Sequence, residues 1–288
     1  MAATLPLARR RQARMPLAIG IVGTILGLIV VLALLAPWIA PADPGRQELL
    51  ARFQPPGFVG RNGLTYWFGT DNLGRDLLSR VLYGARISLA VAVLSVVVST
   101  LVGVSLGMIA GWFRGAVETV IMRLVDIIMS IPAVLLAVLT VAVLGAGFLN
   151  LVLVLGLTRW PRYARVAYGQ TLQVANLPFI RASELAGAGA GRILFAHVLP
   201  NIAGPMMVVA TAEFGLMILF EAGLSFLGLG IQPPSPSWGS IMSVGREYLE
   251  RAPWIVAFPG AALFLLVLSV NLLGDWLRDR IDPRSRTR

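Results

Sequence analysis

Long uncharged apolar runs constrain the fold of this chain more than any other feature. Four of them reach membrane-crossing length, and they cover Leu17–Ala36, Ile87–Gly111, Ile127–Gly145 and Trp254–Gly274. A helix needs about 20 apolar residues to cross the hydrocarbon core of a bilayer. A membrane-spanning barrel would instead show alternating segments of about ten residues, and the sequence has none. The sequence therefore predicts an all-α integral membrane protein.

The residue types that are missing exclude several classes of function. All 24 basic residues are arginines and the chain has no lysine. It can therefore hold neither a Walker-type phosphate lysine nor a Schiff-base lysine. Cysteine is absent and there is one histidine, which excludes thiolate chemistry, disulfides and a histidine-built metal cage. We therefore predict that this chain holds no metal and no cofactor and is not an enzyme.

The apolar runs and their flanking charges predict six transmembrane helices. We place them at 16–37, 86–111, 118–145, 148–168, 199–227 and 253–275. The fourth has only eleven uncharged residues before Arg159, Arg162 and Arg165, whose side chains we expect to snorkel to the headgroups. Fifteen arginines fall on one side of this arrangement and eight on the other, which places both termini in the cytoplasm.

The first helix is preceded by arginines 9, 10, 11 and 14, an arrangement that signal peptides share. Its apolar region of 20 residues exceeds the roughly 7–15 of a signal peptide, so we predict an uncleaved helix. The chain then divides into three regions. These are a cytoplasmic tail, first helix and external region (1–85), a core with a cytoplasmic loop at 169–198 (86–275), and a basic cytoplasmic tail (276–288).

The external region ends in a segment that reads as a helix lying in the membrane interface. Over Asp76–Arg86, one helical face is apolar and the other carries Ser79 and Arg80. We expect Asp71 and Asn72 to cap this helix, and Asp76 to pair with Arg80 one turn away.

The cytoplasmic loop contains the glycine-rich stretch ASELAGAGAGRILFAHVLPN at 182–201. A dinucleotide fingerprint is excluded, because its third glycine comes one residue early and no strand precedes it. We predict instead a short helix over 178–187 with Gly187 as its C′ residue, and a second helical segment leading to Pro200. His197 is expected to hydrogen-bond within the loop.

Two acidic residues lie in the predicted fifth helix. Glu213 and Glu221 share one face with Met217 between them, about 12 Å apart along the axis. Two interpretations stay open, a cation-attracting lining of a translocation path and hydrogen-bonded packing against a partner subunit. The first predicts that Glu213→Gln impairs uptake but not assembly. On the third helix, Arg123 and Asp126 are close enough to pair.

Four stretches in the right order resemble one family over nearly the whole chain. The order of a short helix, Gly187 and Leu199-Pro200 resembles the EAA loop of ABC importer permeases. The stretches FGTDNLGRDLLSRVLYGARISL, LSFLGLGIQPPSPSWG and NLLGDWLRDRIDPR resemble the dipeptide/oligopeptide/nickel branch. The chain most resembles the second, C-type, permease subunit of that branch.

This resemblance implies a permease subunit of an ATP-driven importer for peptides, which forms half of the translocation path. Its partners would be a homologous second permease, two ATPase subunits that hold ATP and Mg²⁺, and an external substrate-binding protein. The resemblance assigns an ATPase-coupling loop of Arg181, Ala182, Ser183, Glu184, Leu185, Gly187, Ala188 and Arg192. It also suggests a receptor-facing external region of Asp71, Asn72, Arg75 and Asp76.

The chain departs from the family where the loop would meet the ATPase. The family's Glu-Ala-Ala falls on Arg181-Ala182-Ser183, so arginine replaces the acidic residue, and Glu184 either substitutes for it or pairs locally. Two rival functions stay open: import of nickel, glutathione or another small solute, and proton-coupled transport through Glu213 and Glu221. The second is disfavoured because inverted repeats and broken helices are not evident.

Overall fold

The computed structural model describes residues 17–61 and 63–281. The N-terminal arginines at 9–14 and the tail arginines at 284–288 lie outside the described residues. The α-helices are α1 Leu17–Ile39, α2 Leu77–Phe113, α3 Gly115–Ser130, α4 Ala133–Leu144, α5 Phe148–Ala175, α6 Pro178–Leu185, α7 Ala190–Ile193, α8 Leu199–Phe226, α9 Trp238–Gly245 and α10 Trp254–Ile281.

Short elements complete the described architecture. A π-helical turn, Leu194–Val198, joins α7 to α8, so that helix continues from Ala190 to Phe226. Two 3-10 turns lie at Leu49–Ala51 and Arg246–Tyr248. The strands β1 (Phe58–Val59) and β2 (Thr65–Tyr66) pair antiparallel, with Phe58 opposite Tyr66.

Four described helices are long and apolar enough to cross a membrane: α1, α2, the continuous α7–α8 helix and α10. A fifth candidate is the pair α3 and α4, which are bent by 91° relative to each other. The prediction of one helix over 118–145 is therefore wrong. Pro132 disfavours the α conformation for the residue before it, and Ile131 is extended with φ −94° and ψ 130°.

The predicted interfacial helix over 76–86 is also wrong, because these residues form the first turns of α2. Two residues of its polar face are buried, Ser79 at 0% and Arg80 at 5% exposure, whereas Arg86 stays exposed. The preceding segment covers these two side chains, since the Ala42 N–H donates to Ser79 Oγ and Arg80 Nη1 donates to the Pro44 carbonyl, both at 3.1 Å. The region boundaries predicted at 85/86 and 275/276 fall inside α2 and α10.

Close packing of α2 against α5 forms the centre of the helical bundle. Gly103, Gly107 and Gly111 recur every four residues along α2. An added Cβ at Gly103 or Gly107 would lie 2.4 Å from the Trp160 or Ala164 carbonyl oxygen. In a membrane the hydrophobic effect does little to bring helices together, because lipid tails are as apolar as leucine. Small residues favour association there because they allow two helix backbones to pack closely. The stripe therefore fixes the position of α5, which carries three arginines.

The two segments that the sequence predicts to be external pack on one another at one end of the bundle. Trp238 at the start of α9 is 1% exposed, and its Nε1 donates to the Val81 carbonyl at 2.9 Å. Trp254 at the start of α10 donates to the Thr70 carbonyl at 3.1 Å. Residues far apart in sequence thereby form one unit over the helix ends, from residues 40–76 and 228–253. We call it the external unit, because the sequence-based topology predicts that side of the membrane for it.

Candidate coupling loop and intramembrane charge cluster

The short helix α6 ends in a hydrogen-bonded turn that the sequence predicted. The Gly187 N–H donates to the Glu184 carbonyl at 2.9 Å, and the Ala188 N–H donates to the Ser183 carbonyl at 3.0 Å. Gly187 has φ +83°, where L side chains are strained. These two bonds and the left-handed glycine make a Schellman motif, so Gly187 is the C′ residue as predicted.

One buried side chain attaches α6 to the helical bundle. Ile180 is 0% exposed and packs in a hydrophobic cluster with Met108 of α2, Val174 of α5 and Val198 before α8. Phe179 adds an edge-to-face contact with the His197 ring, at 6.1 Å between centroids. The His197 ring therefore packs against α6, whereas its backbone carbonyl accepts from Asn201 Nδ2. A displacement of α6 would act directly on three long helices.

The opposite face of α6 is open. Leu185 is 91% exposed, and Arg181 and Glu184 are exposed too. Within the described residues, neither charge has an oppositely charged group within 4.0 Å, so Glu184 does not pair locally. The remaining predicted loop residues are exposed or half-buried. They are Ala182, Ser183, Gly187, Ala188 and Arg192.

Inside the bundle, α5 and α8 are joined by an ion cluster. Arg159 Nε donates to Glu213 Oε2 at 2.8 Å, and Arg159 Nη2 donates to Oε1 at 2.9 Å. Arg162 Nε lies 3.1 Å from the same Oε1. Two guanidinium groups therefore share one carboxylate, which leaves one positive charge in excess. The predicted snorkelling of Arg159 and Arg162 is wrong, because both turn toward Glu213.

The predicted translocation lining is buried inside the described chain, and its role in a path shared with a partner subunit stays a prediction. Glu213, Met217 and Glu221 are each 0% exposed within the single chain. Glu221 accepts a hydrogen bond from Ser225 Oγ at 2.8 Å, and that hydroxyl accepts from the Ile231 N–H at 3.1 Å. Both carboxylates therefore stabilise contacts within the chain, which is the packing interpretation with this chain itself as the partner.

A third arginine of α5 corrects another predicted pair. Arg165 Nη2 donates to Asp126 Oδ1 of α3, so Asp126 pairs across helices and not with Arg123. Together with the Glu213 cluster, this pair neutralises part of the charge on α5. Even so, α5 is less apolar than the four described helices that can cross a membrane.

The predicted receptor-facing residues lie mostly inside the external unit. Asp71 accepts from the Leu73 and Arg75 N–H groups at 2.8 and 3.0 Å and from Arg75 Nε at 2.6 Å. Asp71, Arg75 and Asp76 are 2–7% exposed, and Asn72 is half-buried. These side chains therefore fold the external turn, and the prediction that they face a receptor is wrong for the three buried ones.

The cap of α2 is Asp76, not Asp71 or Asn72 as predicted. Asp76 Oδ2 accepts from the Ser79 N–H at 2.8 Å and from Ser79 Oγ at 2.6 Å. Arg80 lies 3.4 Å from Asp71 Oδ2, so the predicted Asp76–Arg80 pair is replaced by a pair with Asp71. Burial raises the pKa of Asp76, so keeping this side chain ionised destabilises the folded state.

We expect Asp76→Asn to leave stability at neutral pH unchanged or slightly higher. Asparagine caps as well as aspartate and carries no charge to bury, whereas Asp76→Ala should cost about 1 kcal/mol. Because the folded pKa of Asp76 is raised, the wild type should gain stability as pH falls through that pKa, and Asp76→Asn should lack this gain. Thermal unfolding midpoints of the detergent-solubilised chain across acidic pH test this, and an identical pH profile in both proteins would contradict it.

The bundle, its bent helix pair and the exposed loop define a polytopic helical membrane protein. Residues 103–287 match the family described as "Binding-protein-dependent transport system inner membrane component". Residues 7–56 match the "N-terminal TM domain of oligopeptide transport permease C".

Relatives agree with this assignment along most of the chain. The di/tripeptide transport system permease protein DppC of Pseudomonas aeruginosa is 45% identical, over 89% of this chain and 85% of the relative. The glutathione transport system permease protein GsiD of Pectobacterium atrosepticum is 36% identical, over 100% and 97%. A chain of the MetNI methionine ABC transporter, solved in inward-facing conformations, shares the fold with a TM-score of 0.55, over 72% of this chain and 98% of that one, at 19% identity.

The chain therefore belongs to the binding-protein-dependent inner-membrane components, the permease subunits of ABC importers. Within that family it is a C-type permease of the dipeptide/oligopeptide branch, as the resemblance implied. It is an integral inner-membrane protein and a transporter subunit, not an enzyme.

Proposed function

We propose that this chain is a permease subunit that imports short peptides and is driven by ATP hydrolysis on partner subunits. The carrying observation is that a permease named for di- and tripeptides is 45% identical over 89% of the chain. Two ATPase subunits would bind ATP and Mg²⁺, and a homologous second permease would supply the other half of the path. An external binding protein would deliver the solute. This chain itself binds no cofactor.

The proposal includes six spans with both termini in the cytoplasm. Four single helices and the bent α3–α4 pair supply five candidates, and α5 would be the sixth. Its 28 residues correspond to about 42 Å, enough to cross a bilayer. Its low apolarity is tolerable because Arg159 and Arg162 meet Glu213 inside the bundle, and intramembrane charges require such partners.

The contact with the ATPase would be formed by the open face of α6. Leu185 and the turn at Gly187 form an apolar, small-residue end that a groove on a partner can enclose, while Ile180 holds the helix to the bundle. Arg181, exposed and without a carboxylate within 4.0 Å in the described chain, would add a positive charge where the family carries a negative one. We infer that the ATPase groove presents an acidic or neutral surface to it.

The receptor contact would use exposed apolar side chains of the external unit instead of the buried acidic turn. Leu50, Val59 and Trp67 are 82%, 60% and 62% exposed. Aromatic and aliphatic side chains on a rigid unit are typical anchors of protein interfaces.

Uptake into vesicles tests the proposed function. The chain is co-reconstituted with a homologous second permease, two ATPase subunits and a substrate-binding protein from the same organism, and uptake of radiolabelled alanyl-alanine is measured. We expect uptake to require internal ATP and to persist with a proton uncoupler. Loss of uptake with the uncoupler would contradict the ATP-driven mechanism, and import of nickel or glutathione without dipeptide would contradict the peptide substrate.

A further inference from the structure

The ion cluster opens onto a cavity of about 200 Å³ at the bend between α3 and α4. Thr158, Arg159 and Arg162 of α5 line one side, and Pro132 and Ala133 at the bend line another. We propose that this cavity is an anion site that receives the carboxylate of the transported peptide. This inference rests on the proposed peptide import and assigns the recognition of one group of the solute to this subunit.

The charges beside the cavity favour an anion. Glu213 is 0% exposed and lies behind the arginines, whereas the Arg162 side chain is 59% exposed. Arg162 meets Glu213 through Nε at 3.1 Å while most of its side chain stays exposed, so its guanidinium remains accessible to a ligand. Two guanidinium groups against one carboxylate leave a net charge of +1, and a planar guanidinium binds a carboxylate through two N–H groups.

The start of α4, at the bend, adds N–H donors whose partial positive charge also favours an anion. Helix α4 starts at Ala133, and Pro132 before it makes no side-chain capping bond. The first N–H groups of a helix have no partner within it and carry a partial positive charge. Pro132, Ala133 and Leu136 all line the cavity, so this end of the 12-residue helix lies beside Arg162.

The size of the cavity limits what it can hold. Sites for whole drug-sized ligands occupy about 300–1,000 Å³, so about 200 Å³ suits one terminal group with a small side chain. A carboxylate terminus fits both the size and the charge. This assignment has the opposite sign to the cation-attracting lining that the sequence suggested for Glu213 and Glu221.

Cysteine labelling measures the sign of the electrostatic potential in the cavity without relying on transport. The chain has no cysteine, so Thr158→Cys places one thiol beside Arg162. In the assembled transporter, we expect a negatively charged methanethiosulfonate to react about tenfold faster than a positively charged one, after each rate is normalised to a free thiol. Modification is measured by mass on this chain alone. Adding Arg162→Gln should remove the preference.

Two results of the labelling would overturn the proposal. Equal normalised rates, or a preference that Arg162→Gln leaves intact, would show that Arg162 does not set the charge of the cavity. A thiol that reacts with neither reagent would show that the cavity is closed to anions. A matched control is Arg165→Gln, since Arg165 pairs with Asp126 and does not line the cavity. It should leave the preference intact.

A transport comparison then tests the ligand. Alanyl-alanine and its C-terminal amide are supplied at concentrations that saturate the binding protein, with saturation measured separately. We expect Arg162→Gln to lower the maximal uptake of the free acid about tenfold and that of the amide less than twofold, while Arg162→Lys lies between them. Alanyl-alanine, but not the amide, should also slow the labelling of the Thr158→Cys thiol.

The outcomes separate this site from the proposed function. Peptide uptake with an equal loss for acid and amide would refute the carboxylate site and leave peptide import standing. Failure of the wild-type complex to import either peptide would refute the proposed function itself. Slower labelling with anionic lipid but not with alanyl-alanine would assign the cavity to a lipid phosphate and would also overturn the proposal.

Discussion

Glu213→Gln should prevent most of the chain from accumulating in a folded form in the membrane. The change leaves Arg159 and Arg162 with no carboxylate inside the described bundle, whereas the wild-type group meets both within 3.1 Å. Removing one partner of a buried ion pair costs about 3–5 kcal/mol, because the remaining charge stays desolvated. That cost is a large fraction of the stability of a folded domain.

Size-exclusion profiles of a fluorescent fusion in mild detergent measure this effect as the yield of monodisperse protein. Glu221→Gln is the matched control, since Glu221 is equally buried and its bond to Ser225 can be replaced by an amide oxygen. Adding Arg159→Leu to Glu213→Gln should recover part of the yield, because it removes the most buried orphaned charge. A wild-type yield from Glu213→Gln alone would contradict the structural role of the cluster. This expectation reverses the sequence-based one, in which only uptake would suffer.

The sequence predicts well the features that depend on neighbouring residues. Apolar runs of sufficient length indicate spans, and Gly187 can be predicted because a helix end with a left-handed residue has a local signature. The break at Pro132 was visible in the sequence too. The uncharged apolar run continues past it and favours a single helix, although the residue before a proline avoids the helical region.

The charge cluster could not be predicted as a contact, because it joins residues 54 positions apart. The sequence shows that two arginines lie inside an apolar helix and one glutamate inside another. Both types must find partners or water in a membrane. Snorkelling and pairing are equally open from one sequence, and the packing of α5 beside α8 in the folded chain distinguishes them. A rule that pairs opposite intramembrane charges first would have found Arg159 and Glu213.

The prediction that residues 71–76 face a receptor was wrong for a related reason. Asp71, Asn72, Arg75 and Asp76 read as an exposed polar loop, because charged residues are seldom fully buried unless paired. They are paired here, since Asp71 meets the side chains of Arg75 and Arg80. Residues 42–54 pack over this turn, since the Glu48 and Phe53 N–H groups donate to the Leu73 and Asp71 carbonyls. These contacts join distant residues, so no local sequence pattern predicts them.

Gly187→Val should uncouple ATP hydrolysis from transport while the chain still assembles. A β-branched residue is strained at φ +83°, so the Schellman turn must open and the exposed end of α6 must move. No atom lies within 4 Å of the added Cβ, so the bundle itself should not be disturbed. We expect ATP-driven dipeptide uptake to fall at least about tenfold, whereas the basal ATPase rate of the complex stays near the wild-type value. Both are measured on the same vesicles.

Gly187→Asn is the control that isolates the turn, because asparagine tolerates the left-handed region and adds a side chain of similar size. It should retain most of the coupled uptake. A second variant, Leu185→Asp, tests the contact without altering the backbone, since Leu185 is 91% exposed and makes little packing within the chain. Leu249→Asp, at an exposed leucine between α9 and α10, should have little effect. Coupled uptake that survives both Gly187→Val and Leu185→Asp would show that the ATPase contacts another surface. If only Gly187→Val and Leu185→Asp abolish coupled uptake, the contact lies at the end of α6. That position is next to Arg181, which replaces the family's glutamate.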